Sequence, residues 1–286
     1  MSEVPTVTLH GGVEMPLLGF GVFQIPDLAE CEQAVVDAIE VGYRLIDTAR
    51  SYLNEEAVGR AIKRSGVSRE ELFVTSKLWV HDVSYEGAKA GYQRSLDKLG
   101  LEYLDLFLIH QPYNDLFGAW RAMEELHGDG KVRAIGVSNL TSDRLVDLIL
   151  YNDVAPMVNQ IETHPFNQQV AARRVMDEYG VQHEGWAPFA EGRQNLFSNP
   201  LLQDIANRHG KSVAQVVLRW NVQREAVVIP KSTHKERIAQ NFDVFDFALT
   251  DEDMAAIGTL DEAKGLFVVN EDPDFVKALH DRALPD

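Results

Sequence analysis

The sequence predicts an α/β protein of the (β/α)8 TIM barrel class with an N-terminal β-hairpin closing its bottom, and three observations carry that prediction. Short apolar runs alternate with segments of helical period, and βα alternation implies a parallel sheet. Eight of the runs end in polar, aromatic or glycine residues, at intervals of roughly 25 to 40 residues. In order these ends are Gly19-Phe20-Gly21, Asp47 with Tyr52 just beyond, Lys77, His110, Ser138-Asn139, Gln160, Trp186 and Lys231-Ser232. Finally, the runs 104–109 and 226–229 are apolar nearly throughout, as suits strands covered on both faces. The competing architecture, an open doubly wound sheet, would carry Gly-x-Gly-x-x-Gly at its first βα turn. The cluster Gly19-Phe20-Gly21 lacks the third glycine and the helix start.

Each element has its own signal. Residues 6–20 read as two short segments about the turn His10-Gly11-Gly12, a hairpin preceding the repeating part of the fold. Asp27 offers an N-cap with Glu30 three residues on; Cys31, Val35, Ala38 and Ile39 share a helical face, and Gly42 stops the helix. The pattern then predicts strand 43–49, helix 55–63, strand 72–77, helix 85–99, strand 104–110 and helix 116–126. It continues with strand 134–138, helix 142–150, strand 157–162, helix 170–179, strand 181–187, helical segments 199–209 and 213–223, and strand 226–230. The whole of 1–286 is expected to be one domain, with 1–20 forming the hairpin and first strand and 261–286 a tail over the barrel.

Composition narrows the function. With 45% apolar residues and no Pro/Ser/Gly-rich linker, 286 residues suffice for one large core. A formal charge of −17 argues against nucleic acid or an anionic membrane surface as partner, because a phosphate-binding face needs a basic patch. Cys31 is the only cysteine, so no intrachain disulfide or thiolate metal site forms, and it reads as a small buried hydrophobe. No signal-peptide pattern or bilayer-length apolar stretch is present; a cytoplasmic monomer is the default expectation.

In a barrel, residues at the C-terminal strand ends converge on one mouth, so Asp47, Lys77 and His110 are expected to be neighbours, with Tyr52 leaning over them. A phenol is a poor acid at neutral pH, but a nearby ammonium stabilises its phenolate and lowers its pKa. Lys77 would supply that charge, and Asp47 would keep a desolvated lysine protonated. His110, if neutral, can donate a ring N–H to a carbonyl oxygen and share the charge that develops as a hydride arrives at carbon. The set suits carbonyl reduction.

At these residues the chain resembles the aldo-keto reductase superfamily, from the hairpin to about residue 250. The segment Gly42-Tyr43-Arg44-Leu45-Ile46-Asp47-Thr48-Ala49 with Tyr52, Asn54 and Glu55 is similar to its first signature. Ile109-His110, Gly136-Val137-Ser138-Asn139, Asn159-Gln160-Ile161-Glu162 and Ile229-Pro230-Lys231-Ser232 resemble the others, in the expected order. The resemblance implies Tyr52 as general acid, Lys77 and Asp47 as its tuning partners, His110 as the carbonyl-orienting group, and NADPH rather than a metal. Ser138, Asn139 and Gln160 would bind the nicotinamide carboxamide, and Trp186 would stack on the ring where most relatives carry tyrosine. Phe189 and Glu191, in the loop 188–192, would lie along the pyrophosphate.

Residues 231–237 also have a physical reading of their own. A cation, hydroxyls and a helix start make an anion site after the last strand, with Arg237 able to grip a phosphate. By resemblance Lys231, Ser232, Thr233, Arg237, Gln240 and Asn241 would hold the adenosine 2′-phosphate. Phe23, Trp79, Tyr113 and Asn114 follow strand ends and are expected to wall a pocket for a small carbonyl substrate. His110 is followed by Gln111 where many relatives have tryptophan, and the tail 265–286 matches the family only loosely.

Other readings compete. Asp47 and Lys77 alone would be read as a structural ion pair, His110 and Trp186 alone as core residues. An NADP(H)-binding redox-sensing accessory protein is the second functional reading, because fold does not guarantee turnover. A hydrolase using Asp47 and Glu162 is a third, and it leaves Lys77, Lys231 and Arg237 without a task. His164 has no second histidine at metal-ligand spacing, Trp120 and Met123 read as a buried helix face, and the acidic clusters at 55–56, 70–71 and 251–253 read as solvated helix starts.

Overall fold

The computed structural model describes residues 4–267 and 272–285. A two-stranded antiparallel hairpin, β1 (Thr6–Thr8) and β2 (Glu14–Pro16), comes first. It lies against the N-terminal end of the sheet: His10 Nε2 is 3.2 Å from the Pro156 carbonyl oxygen, and Met15 is fully buried. Eight parallel strands then follow in one sheet, in sequential order: β3 (Gly19–Gly21), β4 (Leu45–Asp47), β5 (Phe73–Leu78), β6 (Leu104–Ile109), β7 (Val132–Ser138), β8 (Val158–Glu162), β9 (Gln182–Trp186) and β10 (Val227–Val228). The last meets the first through a parallel bridge between Leu18 and Val228, where Val228 N–H donates to the Leu17 carbonyl at 3.0 Å. The ring is therefore a (β/α)8 barrel.

Helices cover the ring from outside: α1 (Leu28–Val41), α2 (Glu55–Ser65), α3 (Tyr85–Leu99), α4 (Leu116–Gly128), α5 (Ser142–Tyr151), α6 (Val170–Tyr179), α7 (Pro200–His209) and α8 (Val213–Gln223). Helix α1 forms where its caps direct. The Asp27 side chain accepts from Glu30 N–H at 2.8 Å, and Gly42 ends the helix at φ 127, a conformation that L side chains rarely adopt. Three further helices, α9 (Lys235–Phe242), α10 (Asp251–Gly258) and α11 (Pro273–Asp281), follow the last strand. The tail helix α11 packs Leu279 against Trp79 and Val80.

The strand expected over 43–49 pairs only at Leu45–Asp47, and that over 226–230 only at Val227–Val228. Apolar runs outlast the ladder because the flanking residues remain buried after pairing ends. One member of each of two acidic clusters is also corrected, while Glu56, Asp251 and Glu252 are exposed as expected. Glu55 is buried and accepts from Ser76 Oγ at 2.6 Å, and Asp253 is buried between Arg208 and His209 while capping α10. A cap placed where a helix start abuts the core is not solvated. Cys31, Trp120 and Met123 are buried as expected, with Trp120 Nε1–H donating to the Val154 carbonyl at 2.9 Å.

Candidate active site

The C-terminal ends of the strands open into a cleft of about 650 Å³. At its floor Lys77, from β5, is completely buried. Its ammonium donates to Asp47 Oδ1 at 2.6 Å, to the Thr48 carbonyl at 3.0 Å and to the Tyr52 phenol at 3.4 Å. Burial pulls the Lys77 pKa down, but Asp47 and Tyr52 more than offset it, and the ammonium is held above its ordinary value. Asp47 is locked from its other side by Gln160, whose amide donates to Oδ2 at 2.9 Å.

Tyr52 departs from expectation. Lys77 does lower its pKa, but burial is the larger effect and pushes the phenol up to about 12, with Asp47 also raising it. The phenol is therefore a retained proton, not an ionised group. His110 lies beside it, ring centroids 5.6 Å apart, and Ser51 Oγ is 3.2 Å from its Nδ1. Burial first, then Lys77 and Arg282, hold the His110 pKa well below its ordinary value, so the ring is neutral at pH 7.

The next strand ends form a linked row. Ser138 Oγ donates to the Gln160 carbonyl at 2.8 Å. The Asn139 amide donates to Ser138 Oγ and to the His110 carbonyl, both at 3.1 Å, and its own oxygen accepts from Trp186 Nε1 at 3.0 Å. Asn139 does this from a left-handed backbone, φ 60, which is unusual for a non-glycine residue and marks a constrained position. Trp186 remains half-buried on the cleft wall, with Phe267 edge-on at 5.8 Å. Phe189 and Glu191 line the same wall, and Gln24 reaches across to Glu191 at 3.0 Å.

Beyond β10, Lys231 is exposed and lines the cleft. Ser232 Oγ accepts from His234 N–H at 3.1 Å, half-buried Thr233 follows, and α9 then begins. Arg237 and Gln240 are exposed on α9, and Asn241 is buried there. Lys231 and Arg237 make no ion pair among the described residues, whereas Lys235 between them is paired with Asp37 and Glu40.

Of the four expected wall residues, Phe23 and Trp79 line the cleft. Tyr113 and Asn114 do not. Tyr113 packs behind the wall with the Trp79 cluster, and the Asn114 amide donates to the Val80 carbonyl at 2.7 Å, bracing the loop from a φ of 65. Sequence reasoning missed Ser51, the tail residues Phe275, Leu279 and Arg282, and Glu184. Glu184 is fully buried on β9 beside Gln160, and neither carboxyl oxygen has a hydrogen-bond partner at standard geometry. Burial, then Asp47, push its pKa up to about 8 against the smaller pull of Gln160 and Lys77. A lone carboxylate inside the run 181–187 was the available signal.

The hydrolase reading loses ground. Glu162 accepts from His164 Nε2 at 2.9 Å and from Leu266 N–H at 2.6 Å, so it is committed to the tail and makes no free pair with Asp47. Among the described residues no cluster of His, Cys, Asp or Glu is arranged to hold a metal. No helix among them is long and apolar enough to cross a membrane.

A barrel with an Asp, Lys, Tyr and His set at its mouth defines a class, and comparison with known proteins agrees. The aldo/keto reductase family profile matches residues 17–262. The glyoxal reductase of Bacillus subtilis (strain 168) is 50% identical over 258 residues, spanning 90% of this chain and 93% of its own. Morphine 6-dehydrogenase of Pseudomonas putida is 46% identical over 271 residues, 90% of this chain and 91% of its own. The crystal structure of a Bombyx mori aldo-keto reductase in complex with NADP aligns with a TM-score of 0.89 at 36% identity, covering 97% of this chain and 98% of that one. The chain belongs to the aldo-keto reductase family and is an oxidoreductase.

Proposed function

We propose that this protein reduces aldehydes and ketones to alcohols with NADPH, Tyr52 donating the proton. The observation that carries the reading is Lys77 Nζ, held between the Asp47 carboxylate at 2.6 Å and the Tyr52 phenol at 3.4 Å under an open cleft. The chain's own residues fit the cofactor. Ser138, Asn139 and Gln160 present polar groups at one level of the cleft, Trp186 offers an aromatic face, and Lys231 and Arg237 are cations without protein partners among the described residues. Bound nicotinamide supplies the hydride.

The protein's part is orientation and proton supply. A Ser51 hydroxyl donating to His110 Nδ1 places the ring proton on Nε2, free to donate to the substrate oxygen. Tyr52 O–H donates to the same oxygen and transfers its proton as negative charge develops there. Lys77 then holds the phenolate, and Asp47 and Gln160 hold Lys77 in place.

The test compares wild type with Tyr52→Phe, following the nicotinamide absorbance after adding methylglyoxal or an aromatic aldehyde. Loss of about 10²- to 10⁴-fold in turnover, with NADPH still quenching tryptophan fluorescence, is the expected result. Undiminished turnover in the variant would remove Tyr52 as the acid. Quenching without oxidation in wild type, across a broad carbonyl panel, would favour nucleotide binding without reduction.

A further inference from the structure

Reduction requires only a carbonyl, yet the cleft holds a cation that the reaction does not use. Arg282 follows helix α11 and lines the cleft next to His110 and Trp79. Three contacts fix where its charge lies. The guanidinium carbon is 5.6 Å from the centre of the Trp79 ring, one N–H donates to the Ser51 carbonyl at 3.3 Å, and the Arg282 carbonyl accepts from Trp79 Nε1 at 3.3 Å. Ser51 and Trp79 both lie against the His110 ring, so the guanidinium stands on the side of the group that orients the carbonyl.

Arg282 has no carboxylate partner among the described residues, although Asp and Glu outnumber Lys and Arg by 44 to 27 in the chain. The other charges in the cleft have contacts of their own, and Arg193, like Arg282, has a carbonyl and a ring but no carboxylate among the described residues. Asp47 is neutralised by Lys77, Glu191 is bonded to Gln24, and Arg193 donates to the Leu266 carbonyl over the Phe267 ring. Lys231 sits after β10, on the side given above to the cofactor. A guanidinium has five N–H donors in a planar fork that matches a carboxylate, and only one is engaged here. The same cleft is walled in part by the apolar side chains of Phe23, Trp79, Phe275 and Leu279.

We propose that Arg282 is a specificity residue and that the preferred substrates are oxo acids, carbonyl compounds bearing a carboxylate on a short aromatic or aliphatic spacer. The proposal rests on the reductase reading above. The carbonyl sits under His110 and Tyr52, the spacer lies on the apolar walls, and the carboxylate meets the guanidinium at the rim.

The experiment measures kcat/KM for NADPH-dependent reduction of 4-carboxybenzaldehyde and of its methyl ester. The ester is the more electrophilic aldehyde, so a preference for the acid runs against intrinsic reactivity. Wild type should prefer the acid by about tenfold, chiefly through KM, and added salt should shrink that ratio because Arg282 is exposed. Arg282→Gln should abolish the ratio, and Arg282→Lys should keep part of it. A displaced tail alone would not produce a salt-dependent ratio rescued by lysine. Equal reduction of both by wild type, or a ratio that survives in Arg282→Gln, would overturn the assignment while leaving the reductase intact. Oxidation of NADPH by neither aldehyde would overturn the reductase reading itself, and this proposal with it.

Discussion

Lys77 keeps its proton in a fully buried position because Asp47, 2.6 Å away, and Tyr52 offset the cost of burial. Glu184, in the same cluster, gains less: burial and Asp47 outweigh the pull of Gln160 and Lys77. Its pKa stands near 8 in the folded protein, while in the unfolded chain it returns to roughly 4.3. Between those values the native state holds a proton that the unfolded state has released. Stability contributed in this way is present below the unfolded value and is lost as pH rises through that window. Glu184→Gln keeps the shape and removes the titration. Its urea midpoint relative to wild type should therefore climb from about pH 4 to about pH 8 and then level off, and parallel curves would contradict a buried neutral carboxyl.

Elements fit together here through places where side chains must be absent. Gly136 on β7 faces β8 so closely that an added Cβ would lie 2.5 Å from the Val158 carbonyl oxygen. Backbone in a ladder cannot retreat as a flexible side chain can. Gly136→Ala should cost about 1–3 kcal/mol in urea unfolding. It should also disturb Ser138 and Asn139, two and three residues along, raising the KM for NADPH. The helical elements were legible because caps and period agree: the helices 85–99, 170–179 and 213–223 coincide with expectation to the residue. Helix α11 was not, since nothing in 273–281 separates a docked helix from a solvated one until Trp79 and Val80 are seen beneath it.

At the scale of the whole molecule, a chain of net charge −17 repels anions on average, so an anion site needs cations whose charge no carboxylate cancels. Lys231 and Arg237 meet that description at the proposed 2′-phosphate site. Replacing both, Lys231→Met with Arg237→Ala, should weaken NADPH at least about tenfold in a fluorescence titration while moving NADH far less. Equal effects on the two cofactors would sink the phosphate assignment. The loss should also appear as a smaller rise in Tm on adding NADPH, because a ligand stabilises only through its binding.

By itself the sequence determined the barrel, the order of its strands and the strand-end residues Asp47, Lys77, His110, Ser138, Gln160 and Trp186, because hydrophobic period and element spacing are local properties. Tertiary structure alone decided three things. It turned Asn114 away from the cleft, buried Glu184 where Gln160 and Lys77 only partly offset the cost, and brought Arg282 from the far end of the chain to the side of His110. The reason is common to all three. Burial and facing are relations between residues distant in sequence, such as Ser51 and Arg282, and no local pattern encodes which of them will meet.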